Sequence, residues 1–255
     1  MCLLAFGWQV DPEYALVVCA NRDEFYARPT QTAHFWPDHP HIFGGRDVEQ
    51  GGSWMGISQG GRFAAITNIR NPATNRSDAT SRGLLVSEFL EDERSALDFC
   101  LSLQTRGERY NGYNFLAYDG DKLVYQSNRY DQPVPLAPGV YGLSNATLDI
   151  SWPKTVSAVK KLNKWLVQPG SVDQLALLLN DRSTAPDQEL PATGVSLELE
   201  RVLSAQFIAE ADYGTRCSTG VLVHRSGQAE YCEVSHDDER AVKRKNIEGF
   251  LTSKQ

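Results

Sequence analysis

Short apolar runs recur through the first seventy residues, and each is closed by a turn former or a polar residue. Leu3 to Val10 is one run, Asp11-Pro12-Glu13 turns the chain, and Ala15 to Ala20 is a second run rich in Val and Leu. "GGSWMGIS" (51–58) and "RFAAITNIR" (62–70) follow, joined by Gln59-Gly60-Gly61, and read as a hairpin. Runs of this kind are strands, since branched side chains suit a pleated surface and the breakers supply the turns. The glycine pairs at 44–45 and 51–52 are expected in irregular loops ahead of that hairpin.

Helical periodicity then takes over. Ser77 or Ser81 is placed to cap a helix through "GLLVSEFLED" (83–92), and "SALDFCLSLQTR" (95–106) repeats apolar residues at 97, 100, 101 and 103. "RYNGYNFLAYDGDKLVYQSN" (109–128) returns to the strand pattern and turns at Asp119-Gly120. Further helices are predicted over 152–166, 172–180 and 195–208, and two strands close the chain around Arg225-Ser226-Gly227. Separate strand and helix blocks predict an α+β fold, with helices packed outside antiparallel sheet, rather than alternating βαβ units. No repeat or linker interrupts the pattern, so 1–255 reads as a single domain with a charged C-terminal tail over 237–255.

Charge and composition narrow the function. A net charge of −7 opposes nucleic acid and anionic membrane as partners. No apolar run approaches the roughly 20 residues that span a bilayer. The apolar start lacks the basic segment and small-residue cleavage site of a signal peptide. Cysteines at 2, 19, 100, 217 and 232 form an odd, scattered set that suits reduced thiols. The expectation is a cytoplasmic protein whose partner is a small molecule.

Cys2 stands directly behind the initiator Met1. Methionine removal is efficient before a small residue, and it would expose an α-amine with a pKa of about 7.7–8.0. Such an amine can take the proton of the adjacent thiol, which makes Cys2 a candidate N-terminal nucleophile. The plain alternative is a buried small hydrophobe. A four-residue loop over 11–14 places Cys2 opposite Asp23, whose carboxylate would then hold the amine; a three-residue loop places Arg22 there. Asn21 and Asp23 share one strand face, and Arg22 points the other way.

Asn68 after "FAAIT" and Asn145 after "VYGLS" end apolar strands as well, and an asparagine amide suits an oxyanion hole because it donates without adding charge. Arg201 and Arg216 are candidates for binding a substrate carboxylate, against ordinary salt bridges as the alternative. Cys217, His224, Cys232 and His236 match no zinc spacing, and no metal site is predicted.

"MCLLAF", "ANRDEFYARPT", "GGRD", "GGSWMGIS", "TNIR", "NGYNFL", "GLSNATLDISWPK", "ELERVLS" and "YGTRCST" together resemble the NRDE family, whose eukaryotic members are the transport and Golgi organisation proteins. In outline that family is similar to the cysteine branch of N-terminal-nucleophile hydrolases, which includes bile-salt hydrolases and penicillin V acylases. The resemblance implies a four-layer αββα sandwich of antiparallel sheets. It implies roles for Cys2, Asn21, Asp23, Asn68 and Asn145, and for a late arginine that corresponds to Arg201 or else to Arg216. With the reading of the residues themselves, the candidate catalytic set is Cys2, Asp23, Asn68, Asn145 and Arg201, and the candidate binding set is Asn21, Arg22, Trp54 and Arg216. The branch's strand-two motif reads Arg-Asn-x-Asp, and Ala20 stands here where its arginine belongs. Arg22 would replace that arginine only across a bulge.

Hydrolysis of a carboxamide or acyl bond is one expectation, with no cofactor required. The other is a carrier on the same scaffold for an apolar ligand, either haem or an acyl-CoA or lipid, as the resemblance implies. Phe25, Tyr26, Phe35, Trp36 and Trp54 would line its pocket, with His34, His39 or His41 as an axial ligand for haem.

Overall fold

The computed structural model describes residues 2–236 and 242–247, with Cys2 and the final segment described as backbone only. The chain opens with an antiparallel hairpin, β1 (Cys2–Trp8) and β2 (Tyr14–Phe25). Its turn is tight because Asp11 Oδ1 accepts from the backbone N–H groups of Glu13 (2.8 Å) and Tyr14 (3.0 Å). Trp8 therefore pairs with Leu16 and Cys2 with Arg22, the register of the shorter loop, and the pairing of Cys2 with Asp23 is corrected. Both faces of this hairpin are buried, so the hydrophobic pattern does not choose between registers and the turn does.

Two sheets carry the rest. The first adds β10 (Gly139–Leu143) beside β1, and β11 (Tyr213–His224), β12 (Ala229–Ser235) and β13 (Val242–Ile247) beyond β2. The second runs in chain order through β3 (Thr30–Phe35), β4 (Ile42–Asp47), β5 (Met55–Ser58), β6 (Arg62–Asn68), β7 (Tyr113–Tyr118), β8 (Leu123–Ser127) and β9 (Val134–Pro135). Every pairing between these described strands is antiparallel.

Side-chain alternation sorts the strands into layers. Leu4, Phe6, Leu16 and Val18 meet Met55, Ile57, Phe63 and Leu116 between the sheets. Leu3, Ala5, Val17 and Cys19 face the other way onto α3 (Pro153–Val167) and α4 (Val172–Ala176), through Ala158, Leu162 and Leu175. Ala64, Phe115 and Ala117 cover the outside of the second sheet against α1 (Leu84–Glu91) and α2 (Ala96–Ser102), through Leu85, Phe89 and Phe99. The result is the expected αββα stack. Each fully buried Leu or Phe in these layers contributes about 1.5–3 kcal/mol.

Three local readings change. Gly44 and Gly45 lie inside β4, not in a loop, since a Cβ on Gly45 would stand 2.2 Å from the Trp54 ring. Helix α1 starts behind Gly83 with no side-chain cap, so neither Ser77 nor Ser81 serves it. The helices expected over 172–180 and 195–208 are shorter, spanning Val172–Ala176 and Leu197–Ser204 (α5). Within the charged segment 237–255, Val242–Ile247 is a strand; 237–241 and 248–255 lie outside the described residues.

Candidate active site

Strand β2 is longer than β1. Beyond Arg22, the partner of position 2, it continues through Asp23, Glu24 and Phe25 along β11. Here β11 carries a bulge, because Thr215 pairs with Asp23 and Cys217 with Arg22, leaving Arg216 as the extra residue. The bulge lies on the neighbouring strand, so Arg22 keeps the face opposite Asn21 and Asp23.

A cleft of about 1100 Å³ opens at this end, lined on one side by Arg22, Asp23 and Phe25 and on the other by Trp54, Asn68 and Arg70. Asp23 is 1% exposed and accepts from the Thr215 hydroxyl at 2.7 Å. Burial pushes its carboxyl above the usual aspartate range, against the pull of the Lys154 charge, the Thr215 hydroxyl and Arg22. Arg22 lies over the Trp54 ring, its guanidinium carbon 4.2 Å from the centroid. Among the described residues its Nη1 has no hydrogen-bond partner.

Asn68 and Asn145 meet at the cleft. Asn145 Nδ2 donates to both the backbone oxygen and Oδ1 of Asn68, each at 3.0 Å, and the Asn145 carbonyl accepts from the Arg70 N–H at 2.8 Å. Asn68 lines the cleft and Asn145 does not. With its Oδ1 occupied, Asn68 turns its amide protons away from Asn145. Arg70 leaves the end of β6 and gives Nη1 to Glu200 Oε2 at 2.7 Å, a pair in which neither side chain is more than 5% exposed. Burial lowers the Arg70 pKa, opposed first by Glu200.

The sequence matches the family described as Transport and Golgi organisation 2 over residues 1–238. The chain belongs to that family. The Transport and Golgi organization protein 2 homolog of Bos taurus is 38% identical over 260 residues, covering 92% of this chain and 93% of that protein. The Homo sapiens homolog is 34% identical over 261 residues, covering 93% and 94%. Among solved structures, a mutant of conjugated bile acid hydrolase from Clostridium perfringens, with alanine in place of cysteine at its second position, superposes with a TM-score of 0.52 at 9% identity, covering 97% of this chain and 92% of that one. An arginine-to-leucine variant of the same hydrolase gives 0.51. This Transport and Golgi organisation 2 family member thus has the N-terminal-nucleophile-hydrolase fold.

Other expected residues fall outside the cleft of this Transport and Golgi organisation 2 chain. Arg201 is corrected: it sits on the outward side of α5, giving Nε and Nη2 to Asp187 at 2.7 Å, while its neighbour Glu200 turns inward to Arg70. Asn21 faces the helical layer, donating to the Leu179 and Gln206 carbonyls and accepting from Ser218. Arg216 donates to the Phe25 and Arg28 carbonyls and so pins the turn after β2. Phe25 and Trp54 line the cleft, whereas Tyr26 lies under Arg216, Phe35 packs on the sandwich core and Trp36 is in the outer core.

Among the described residues no histidine lines the cleft; His34 bonds the Thr32 carbonyl and His39 faces Glu91 on α1. Among those residues, too, no cluster of His, Cys, Asp and Glu would hold a metal, and no helix is long and apolar enough to cross a membrane.

Arg70, Glu200, Lys154 and Thr215 escaped the sequence reading. Arg70 and Glu200 lie in "TNIR" and "ELERVLS", so the motifs held the signal; the choice of neighbour within "LER" did not.

Proposed function

We propose that this chain is an N-terminal cysteine hydrolase acting on a carboxamide or related acyl bond of a small molecule. One relationship carries the reading: position 2 of β1 pairs with Arg22 where Asp23 and Asn68 line the same cleft. Removal of Met1 frees the α-amine, which takes the Cys2 thiol proton as sulfur attacks the acyl carbon. Asp23 holds the protonated amine, and the Asn68 side chain donates to the developing oxyanion, held in place by Asn145. The amine passes its proton to the leaving nitrogen, the C–N bond breaks, and a thioester remains on Cys2. Water, deprotonated by the same amine, then releases the acid.

Intact mass of the native protein and turnover of an amide library by the wild type and Cys2→Ala test this. Met1 should be absent, and Cys2→Ala should lose turnover while keeping its circular dichroism. Unchanged turnover in that variant, or an active protein retaining Met1, ends the reading.

A second reading is a carrier for an apolar ligand, such as an acyl-CoA or lipid, on the same cleft. Two apolar side chains favour it: Phe25 and Leu199 line the opening yet are 58% and 41% exposed. Titration with an acyl-CoA and with haemin separates the two, since a carrier binds without consuming its ligand.

A further inference from the structure

We propose that the cleft holds its ligand by a single carboxylate, received between Arg22 and Arg70. The site rests on the cleft being where the ligand of the proposed hydrolase lies, and it does not require Cys2 to react. Both arginines are more than nine-tenths buried, and both line the opening. Among the described residues Arg22 Nη1 lacks a hydrogen-bond partner, as do Arg70 Nε and Nη2. Buried guanidinium nitrogens are rarely left so, because losing water without gaining an acceptor is costly. Planar donors of this type match a carboxylate in two parallel bonds. Other arginines on the wall have acceptors: Arg28 is paired with Asp47 and Glu49, and Arg82 gives Nη1 to the Gly112 carbonyl.

Charge decides which anion. Glu200 already neutralises one guanidinium, so the two together keep one net positive charge. Glu233, which also faces Arg22, keeps its proton up to about pH 7 because it is buried, so below that pH it does not neutralise Arg22. Asp23 lies within electrostatic reach of both arginines, which confines the positive field to their own nitrogens. Glu24, Glu198, Glu210 and Asp212 line the cleft as well and repel a polyanion. A phosphate dianion or pyrophosphate is therefore disfavoured. Trp54, Phe25 and Leu199 offer apolar surface to the remainder, so the ligand is an apolar molecule with one carboxylate.

The test uses the full chain with Cys2→Ala, which binds without turnover, and calorimetric titration with 4-phenylbutyrate, its neutral amide and pyrophosphate. The acid should bind at least tenfold more tightly than either of the others, and Arg22→Gln should lose that preference. Arg22→Lys keeps the charge over Trp54 but not the fork, and serves if the glutamine variant fails to fold; it should weaken the acid alone. Equal binding of acid and amide, tightest binding of pyrophosphate, no binding of the acid, or an unchanged preference in the variants overturns the carboxylate site. A carboxylate preference together with undiminished turnover in Cys2→Ala would instead sink the hydrolase and leave this site standing.

Discussion

Asn145 spends its side-chain amide on Asn68, donating to that residue's backbone oxygen and to its Oδ1 at 3.0 Å each. An asparagine so engaged is a poor oxyanion donor itself and a good means of aiming the other. In the proposed hydrolase the two would therefore act differently, Asn68 as the donor and Asn145 as its support.

Asn68→Ala is expected to lower kcat by about 10²–10³ with little change in KM, the usual result of removing an oxyanion donor. Asn145→Ala should lower kcat in the same direction by less, because Asn68 stays but is no longer held. Steady-state kinetics on an amide whose turnover depends on Cys2 checks both. A larger loss in Asn145→Ala than in Asn68→Ala would reverse the roles.

The Arg70–Glu200 pair is buried on both sides, and Glu200 Oε1 also accepts from the N–H and hydroxyl of Thr193. Glu200→Ala strands a buried guanidinium and should cost roughly 3–5 kcal/mol. Arg70→Met with Glu200→Leu should recover much of that, since neither charge is then left alone. Urea unfolding of the three proteins measures the difference.

Gly45→Ala is expected to destabilise by about 1–3 kcal/mol through overpacking. Its Cβ would meet Trp54 at 2.2 Å, and Trp54 is the ring beneath Arg22. A red shift in tryptophan emission should accompany the fall in Tm, together with weaker carboxylate binding.

Glu233 gives a pH dependence with a definite sign. Burial raises its pKa from 4.5 to about 7, against the pull of the Ala33 N–H, the Cys217 thiol and the Arg22 charge. The unfolded chain releases this proton near 4.5 and the folded one near 7, so the folded state binds more protons in between. Stability from this group is complete below 4.5 and is lost as pH rises through about 7, on the order of 3 kcal/mol in all. Glu233→Gln should flatten that part of the stability profile, as read by urea midpoints across the window.

Much of this protein follows from one-dimensional pattern. Alternation in "LLAFGW" and "ALVVCA", the breakers at Asp11-Pro12 and Asp119-Gly120, and the periodic faces of 153–167 and 84–91 specify strands and helices through local sterics and burial. The position of Cys2 and the asparagines at two strand ends are equally local facts. Register was not, because β1 and β2 are apolar on both faces and only the Asp11 turn chooses which residue faces position 2. Nor was the choice between Glu200 and Arg201: adjacent residues on one helix point to different sides, and which side meets Arg70 depends on how α5 docks. Pattern sets what each segment becomes; only packing across the sandwich brings charges from distant segments into one buried place.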